Sequence, residues 1–331
     1  MNTVSYDVVG IGSAIVDILA RAEDDFLNRH GMTKGTMALI DSTQAHALYS
    51  DMGPSVNISG GSAANSMAGI ASLGGRPAFI GKVGADELGE IFKHDIKVAG
   101  VDFHSGQQNS TLLPTAVCMI LVTPDAQRTM NTFLGACTEL GPADIDQNMI
   151  SAAQITYIEG YQWDTPQAKE AIRKACATAK SAGRKVALSL SDPFVVDRHR
   201  TELINLINDQ VDLIFGNEEE VFRLYQTNDL NTAVDKLRQS KTLACMTLGA
   251  RGAMVVDSSS TTTVPAVPVS KVIDTTGAGD LFAAGFLYGY TNGRDLVHSA
   301  IIGALAAAEV ISHMGARPEV SLRELMVKEG L

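Results

Sequence analysis

The segment from Asp274 to Asp280, near the C-terminal end, carries the clearest chemical signal in the chain. Gly277 and Gly279 let the backbone approach a ligand closely, and the apolar run that follows predicts a loop leading into a helix N-terminus. The free N–H groups and the dipole of such a terminus attract phosphate. Asp280 could accept the proton of a hydroxyl that attacks this phosphorus. The segment therefore indicates phosphoryl transfer. The alternative is ordinary helix N-terminal chemistry without catalysis.

Two segments in the first quarter of the chain supply further polar groups. Asp17 lies within an apolar, strand-like run, and a carboxylate among apolar neighbours needs a partner. Gly60 and Gly61 end a predicted strand and precede a helix of small residues that contains Asn65. Both features have structural alternatives. Asp17 could face solvent at a strand edge, and the glycines could form a turn whose helix packs on a sheet.

Arg128, Asn217 and Glu220 are three more candidates. The Arg128 guanidinium could hold a transferring phosphoryl group, or it could be a solvated arginine at a strand edge. Asn217 follows an apolar strand and Glu220 comes three residues later, which is the capping-box pattern. Such a cap can also lie at the carboxyl edge of a parallel sheet, where ligands gather. Both interpretations are open at this point.

The segment from Asp274 to Asp280 resembles the C-terminal signature of the ribokinase-like (pfkB) carbohydrate kinase family. Gly60, Gly61 and Asn65 resemble its N-terminal Gly-Gly-x-x-x-Asn element. The resemblance spans nearly the whole chain, because both signatures occur in order with alternating α/β elements between them. It implies an ATP-dependent kinase that phosphorylates a primary hydroxyl with the help of Mg²⁺.

The resemblance also implies roles for individual residues. The implied catalytic groups are the base Asp280, the amides of Gly277, Ala278 and Gly279, and Arg128. The residues implied for substrate binding are Asp17, Gly60, Gly61 and Asn65. Those implied for the nucleotide side are Asn217, Glu220, Thr247, Gly249 and Gly252. The implied metal ligands are Glu220 for Mg²⁺, through water, and Asp274 with Thr276 for a monovalent cation such as K⁺.

Composition narrows the class of protein. The 331 residues are 45% hydrophobic, which is enough to bury a large core. A formal net charge of −11 argues against a nucleic-acid partner, which would need clustered Lys and Arg. Neither a membrane span nor an export segment is predicted. The four cysteines lack C-x-x-C spacing and are typical of buried thiols in a reducing cytoplasm.

Other enzyme classes lack their motifs. Gly10 and Gly12 follow the first predicted strand, but Ile15 stands where a dinucleotide-binding fingerprint needs its third glycine. No P-loop sequence occurs, and the seven histidines are scattered without zinc-site spacing. An NAD-dependent oxidoreductase, a P-loop enzyme and a zinc enzyme are therefore not predicted.

The order of predicted elements indicates the fold. Strands alternate with helices over most of the chain, which predicts an α/β fold with a doubly wound, mostly parallel sheet sandwiched by helices. The alternation is interrupted between Thr115 and Asn131, where two strands are predicted without a helix between them. The turn of this hairpin is at Pro124-Asp125. We predict a single domain, 1–331, with a discontinuous β lid from about 15–41 and 112–132. A helix at 299–311 and a loop at 315–318 are expected to close the chain.

The substrate is less well specified. The lid arginine and the segments 124–131 and 134–136 resemble bacterial adenosine-kinase-like members of the family, so the first expectation is conversion of adenosine to AMP. The alternatives are a sugar kinase for ribose, fructose or ketodeoxygluconate, or a non-catalytic nucleoside- or sugar-binding sensor. Candidates for an adenine clamp are Met37, Met119, Phe133 and Phe194, and spacing identifies none of them. The chain could be a monomer or a homodimer formed through the lid.

Overall fold

The computed structural model describes residues 4–105, 112–125 and 127–331. The strands in these ranges are β1 Tyr6–Ile11, β2 Ile15–Arg21, β3 Met37–Leu39, β4 Ser55–Gly60, β5 Pro77–Ile80, β6 Asp102–His104, β7 Ala116–Val122, β8 Arg128–Phe133, β9 Ala153–Glu159, β10 Lys185–Ser189, β11 Leu213–Asn217, β12 Leu243–Thr247, β13 Ala253–Val256 and β14 Thr261–Val264. The helices are α1 Asp24–Arg29, α2 Ser42–Asp51, α3 Ser62–Ser72, α4 Glu87–Val98, α5 Gln147–Ser151, α6 Pro166–Ser181, α7 Pro193–Gln210, α8 Glu218–Tyr225, α9 Leu230–Ser240, α10 Ala278–Thr291, α11 Leu296–Val310 and α12 Leu322–Lys328.

Nine of these strands form the main sheet, in the order β14-β13-β12-β11-β10-β9-β1-β5-β6. The strands from β12 to β6 pair in parallel, and β13 and β14 add an antiparallel hairpin at one edge. Successive strands run outward in opposite directions from the boundary between β1 and β9. This arrangement confirms the predicted doubly wound α/β fold. It also places a topological switch point, where such sheets bind ligands, beside the C-termini of β1 and β9.

A second sheet of five strands has the order β3-β8-β7-β2-β4. Its β7 and β8 pair antiparallel, as the two predicted strands between Thr115 and Asn131 require. β2 is an inner strand, parallel to β7 and antiparallel to β4. The sheet also includes Ser55–Gly60, which lies outside the ranges predicted for the lid. Ala126, within one of those ranges, lies outside the described residues.

Helices cover both faces of the main sheet and bring two of their N-termini together. One core cluster packs α3, α10 and α11 against the sheet around Phe79 and Phe286, and α6 and α7 cover the opposite face. The close approach of α3 to α10 depends on Gly69, because a Cβ there would lie 2.6 Å from Leu281 Cδ1 and 2.7 Å from Ala284 Cβ. The first turns of α3 and α10 therefore meet at the carboxyl edge of the sheet.

Two differences from the predicted elements concern the chain's last third. The helix predicted from residue 299 begins earlier, at Leu296. The loop at 315–318 does not end the chain, because α12 follows it and buries Leu322 and Met326. None of the helices in the described ranges is long and apolar enough to cross a membrane.

Candidate active site

The first turn of α10 forms an open cradle of backbone amides. Gly277, the residue before the helix, has φ of 79°, and a Cβ there would lie 2.8 Å from the Cα of Ala316, so only glycine fits. Gly279 faces open space, since a Cβ there would meet no atom within 4 Å. The N–H groups of Gly279 and Asp280 have no acceptor among the described residues, as expected in a first helical turn. This turn can therefore receive an anion.

Ala278 differs from the other predicted cradle residues. Its N–H already donates to Thr275 O, over 3.2 Å. The amides available to a phosphoryl group in this conformation are consequently those of Gly277, Gly279 and Asp280, since none of these N–H groups has an acceptor among the described residues.

The Asp280 carboxylate is held by side chains from the first turn of α3. Ser62 Oγ donates to Asp280 Oδ1 over 2.6 Å, and Asn65 Nδ2 donates to Oδ2 over 3.1 Å. Burial raises the pKa of Asp280 to about 6, although both hydrogen bonds favour the ionised form and act in the opposite direction. A carboxylate of this kind is ionised at neutral pH and is a stronger base than an exposed aspartate.

This geometry predicts the acidic limb of the pH profile. We expect kcat/KM to fall as the pH is lowered through about 6, because protonated Asp280 cannot accept a proton. Ser62→Ala should shift the limb to higher pH, because the ionised form loses a donor. Ser66→Ala is the matched control, since Ser66 Oγ donates to the backbone oxygen of Asp280 instead of its carboxylate. Equal shifts in both variants, or no shift in either, would refute the link between this limb and Asp280.

Asp17 faces the same region from the small sheet. It lies on the inner strand β2, so the alternative of a solvated strand-edge residue does not hold. Its carboxylate remains partly accessible, and no described residue donates a hydrogen bond to it. Burial raises its pKa to about 7, opposed by the positive charges of Arg317 and Arg128, and the negative charge of Asp280 adds to the rise. The effect of the Asp280 charge on the pKa of Asp17 indicates that the two carboxylates face the same region.

Neighbouring protein atoms leave no room for a side chain at either glycine before α3. A Cβ at Gly60 would lie 2.5 Å from Asp17 Oδ2, so this glycine makes room for the Asp17 carboxylate. Gly61 has φ of 94°, and a Cβ there would lie 2.1 Å from Ser13 O. Asn65, four residues later, is buried and already bonded to Asp280. Its side chain therefore orients the carboxylate even in the absence of substrate.

Arg128 contacts the two residues predicted to bind a monovalent cation. Its Nη2 lies 2.5 Å from Asp274 Oδ2, and its Nη1 donates to Thr276 Oγ1 over 2.9 Å. Asp274 Oδ2 also accepts from Gly315 N–H. Asp274 Oδ1 accepts from both the N–H and the hydroxyl of Thr276. Every side-chain oxygen of the two predicted cation ligands is thus engaged.

The described side chains consequently do not fit a monovalent cation while Arg128 is in place. The guanidinium supplies the positive charge that Asp274 would otherwise take from a metal ion. The predicted role of Arg128 at the phosphoryl group would require its release from Asp274. In this conformation, Arg128 joins the small sheet to the segment that precedes the α10 cradle.

Asn217 and Glu220 form a capping box at the start of α8. Asn217 Oδ1 accepts from Glu220 N–H over 2.8 Å. The Glu220 carboxylate accepts from the N–H and the side-chain amide of Asn217, over 2.9 and 2.7 Å. Asn217 also ends β11 and is paired with Thr247 at the end of β12. The capping box is therefore formed, and it lies at the carboxyl edge of the sheet, where the ligand-binding interpretation places it.

The surroundings of Glu220 fit Mg²⁺ bound through water. Burial raises the pKa of Glu220 to about 7, and the negative charges of Asp192 and Asp280 add to the rise, while the Asn217 N–H opposes it. Proteins commonly hold Mg²⁺ with one or two carboxylates, waters and substrate phosphates. In the described part of the chain, no three His, Cys, Asp or Glu side chains form a direct metal cluster. Glu220 is therefore the residue that would hold Mg²⁺ through water, as the sequence predicts.

The turn after β12 contains the remaining predicted nucleotide residues. Gly249 begins a short 3₁₀ turn, and a Cβ there would meet no atom within 4 Å. Gly252 is packed on the backbone, since a Cβ would lie 2.0 Å from Val264 O. Arg251 pairs with Glu218 over 2.6 Å and so ties the turn to α8. The turn is adjacent to Thr247 and has open space at Gly249.

Three residues of the site were not predicted. Ser62 contacts Asp280, and Arg317 contacts Asn65. The sequence offers no spacing signal for either residue. Glu159, the last residue of β9, is fully buried and accepts from the N–H groups of Ser13 and Ala63 over 2.7 and 2.9 Å. A carboxylate in an otherwise apolar strand, the signal that marked Asp17, could have identified Glu159.

The candidates for an adenine clamp are dispersed. Met119 is buried in the core between the small sheet and its helices, so it does not line the site. Met37 lies on β3 at the edge of the small sheet and is 43% exposed. Phe194, at the start of α7, is 71% exposed and next to the carboxyl edge of the main sheet. Phe133, at the end of β8, is half-buried and packs against the same core as Met119, so Phe194 is the more exposed of the two aromatic candidates.

Comparison with known proteins identifies the family of the chain. Residues 51–322 match the pfkB family carbohydrate kinase profile. Adenosine kinase from Sinorhizobium meliloti is 49% identical, with a TM-score of 0.92 over 98% of this chain and 99% of that one. A probable sugar kinase from Rhizobium etli is 45% identical, with a TM-score of 0.93 over 99% of each chain. Adenosine kinase from Saccharomyces cerevisiae is 28% identical over 93% of this chain and 95% of its own length. The chain belongs to the pfkB family of carbohydrate kinases and is a kinase.

Proposed function

We propose that this kinase transfers the γ-phosphoryl group of ATP to the 5′-hydroxyl of adenosine. The observation that carries the reaction type is the position of Asp280, a buried base beside open backbone amides and near Asp17. The similarity to a bacterial adenosine kinase over almost the full length supports adenosine as the acceptor.

In the proposed mechanism, Asp17 orients the nucleoside and Asn65 orients the base Asp280. Asp17 accepts hydrogen bonds from substrate hydroxyls, which its free carboxylate oxygens permit. Asn65 keeps the Asp280 carboxylate in place through its Nδ2 donor. Such positioning lowers the barrier, because the reacting hydroxyl is held near its line of attack before the reaction begins.

The reacting groups then meet at the first turn of α10. Asp280 accepts the proton of the attacking hydroxyl, and the amides of Gly279 and Asp280 donate to the oxygens of the transferred group. When bound with ATP, Mg²⁺ neutralises phosphate charge. Glu220 would hold that ion through water, and the turn at Thr247, Gly249 and Gly252 would accept the nucleotide.

We further propose that the chain is one kinase domain whose small sheet acts as a lid. The Arg128 contact with Asp274 supports this role, because it connects the two sheets beside the cradle. All four cysteines are free thiols, which suits a cytoplasmic enzyme. Every site residue comes from one chain, so a monomer suffices. A homodimer formed through the lid is the alternative, because the apolar residues Leu39 and Val56 are exposed on the two edge strands of the small sheet. Light scattering would detect such a dimer.

The experiment is a substrate panel with Mg-ATP. ADP release should be fast with adenosine and slow with inosine, ribose, fructose and ketodeoxygluconate. Turnover of a free sugar instead would keep the mechanism and replace the substrate. Absence of turnover with every compound, accompanied by ligand-induced thermal stabilisation, would favour a non-catalytic sensor.

A sugar acceptor is the second candidate, and specific similarities support it. The probable sugar kinase from Rhizobium etli is nearly as similar as the adenosine kinase from Sinorhizobium meliloti. A 5-dehydro-2-deoxygluconokinase from Geobacillus thermodenitrificans is 29% identical over 76% of this chain. The panel separates the two candidates directly.

A further inference from the structure

Arg317 is a charged side chain at the active site with an incomplete set of partners. Its Nε donates to Asn65 Oδ1 over a long 3.4 Å. Its Nη2 is buried and has no hydrogen-bond partner among the described residues. A buried guanidinium nitrogen without an acceptor is unfavourable, so its presence calls for a partner that binds later.

The position of Arg317 is fixed from two sides. The preceding residue, Ala316, packs against Gly277 at the start of the α10 cradle. Asn65 contacts Arg317 through its oxygen and Asp280 through its nitrogen. Arg317 is thus one amide group away from the catalytic carboxylate.

Asp17 is the complementary unsatisfied group. Its carboxylate accepts no hydrogen bond from a described residue, while Arg317 and Asp17 influence one another's charge. A hydroxyl can donate and accept at the same time, so one placed between them would satisfy both. Asp17 has two acceptor oxygens, which suits two adjacent hydroxyls on one ligand.

We propose that Arg317 is a substrate-recognition residue that donates to one hydroxyl of a vicinal diol while Asp17 accepts from the diol. This inference rests on the proposed function and narrows its substrate class to nucleosides or sugars with a free diol. Arg317 binds the acceptor substrate, and the binding of ATP does not depend on this side chain.

The test compares the wild type with Arg317→Met, which keeps an unbranched side chain as far as the fourth atom and removes the donors. We expect the KM for adenosine to rise roughly 10- to 100-fold, the range for a lost hydrogen bond to a charged group. The KM for ATP should stay constant, and kcat should change less than about threefold. The melting temperature without ligand should not fall, because the variant removes an unpaired buried charge. Arg317→Lys should recover part of the adenosine affinity.

Deoxynucleosides distinguish substrate recognition by Arg317 from a merely structural role, because a structural role would not change the relative KM values of these analogues. In the wild type, 2′-deoxyadenosine and 3′-deoxyadenosine should each show a higher KM than adenosine. In Arg317→Met, the penalty should shrink for the analogue that lacks the hydroxyl bound by Arg317. Unchanged penalties for both analogues, or a rise in the KM for ATP in place of adenosine, would overturn the inference.

The outcome also separates this inference from the proposed function. If the wild type phosphorylates adenosine and Arg317→Met is unaffected, the inference alone fails. If the wild type phosphorylates a sugar with a diol, the proposed acceptor is wrong, and the KM for that sugar in Arg317→Met decides the role of Arg317. If the wild type accepts only compounds without a diol, both fail.

Discussion

Asp280→Asn is expected to lower kcat by roughly 10²- to 10⁴-fold, the usual effect of losing a general base. The amide has nearly the shape of the carboxylate. Its oxygen can accept from Asn65 Nδ2 and its nitrogen can donate to Ser62 Oγ, so the site should keep its geometry. It cannot take the proton of the attacking hydroxyl. ATP affinity, measured by calorimetric titration, should remain close to that of the wild type.

Asp295→Asn is the matched control for this variant. Asp295 caps α11 by accepting from His298 N–H, so the same substitution is made at another helix N-terminus without a site. Its kcat should be unchanged. A kcat for Asp280→Asn that is close to the wild-type value would remove Asp280 from the mechanism.

The second large effect is expected from Arg128→Ala. This substitution leaves Asp274 buried without its cation, and breaking a buried pair in this way lowers stability by about 3 kcal/mol or more. Chemical denaturation would measure the loss. Arg128→Lys should lose less, because it keeps the positive charge and gives up only the second hydrogen bond, to Thr276.

The same variant tests the relation between Arg128 and a monovalent cation. We expect the wild-type rate to be equal in KCl and in tetramethylammonium chloride at the same ionic strength, because Arg128 already neutralises Asp274. In Arg128→Ala, the oxygens of Asp274 and Thr276 become available, and K⁺ should restore part of the lost stability. A wild-type rate that depends strongly on K⁺ would show that Arg128 leaves Asp274 in the working enzyme.

The fold could be predicted from the sequence because its signals are local and periodic. Apolar strands such as β1 and β11 alternate with amphipathic helices, and this alternation has few topological solutions. The small sheet was harder to predict. Ser55–Gly60 has the pattern of any short strand before a glycine turn, and only its pairing with β2 assigns it to that sheet.

The site could be predicted in part, for a similar reason. Asp280 and Asn65 lie in motifs with strict spacing, and the structure brings them together through the packing of α3 on α10. The partner of Arg128 could not be predicted, because the contact joins strand β8 to a segment almost 150 residues away. Arg317 has no spacing signal, and its importance is visible only in its unsatisfied nitrogen beside Asn65.

The most direct test of the central claim is product analysis with Mg-ATP and either adenosine or 5′-deoxyadenosine, which lacks the acceptor hydroxyl. We predict one AMP formed for each ADP released from adenosine, with the phosphate on the 5′ oxygen, and no nucleotide product from 5′-deoxyadenosine. Equal ADP release with both compounds, or ADP release from adenosine without AMP, would contradict phosphoryl transfer to that hydroxyl.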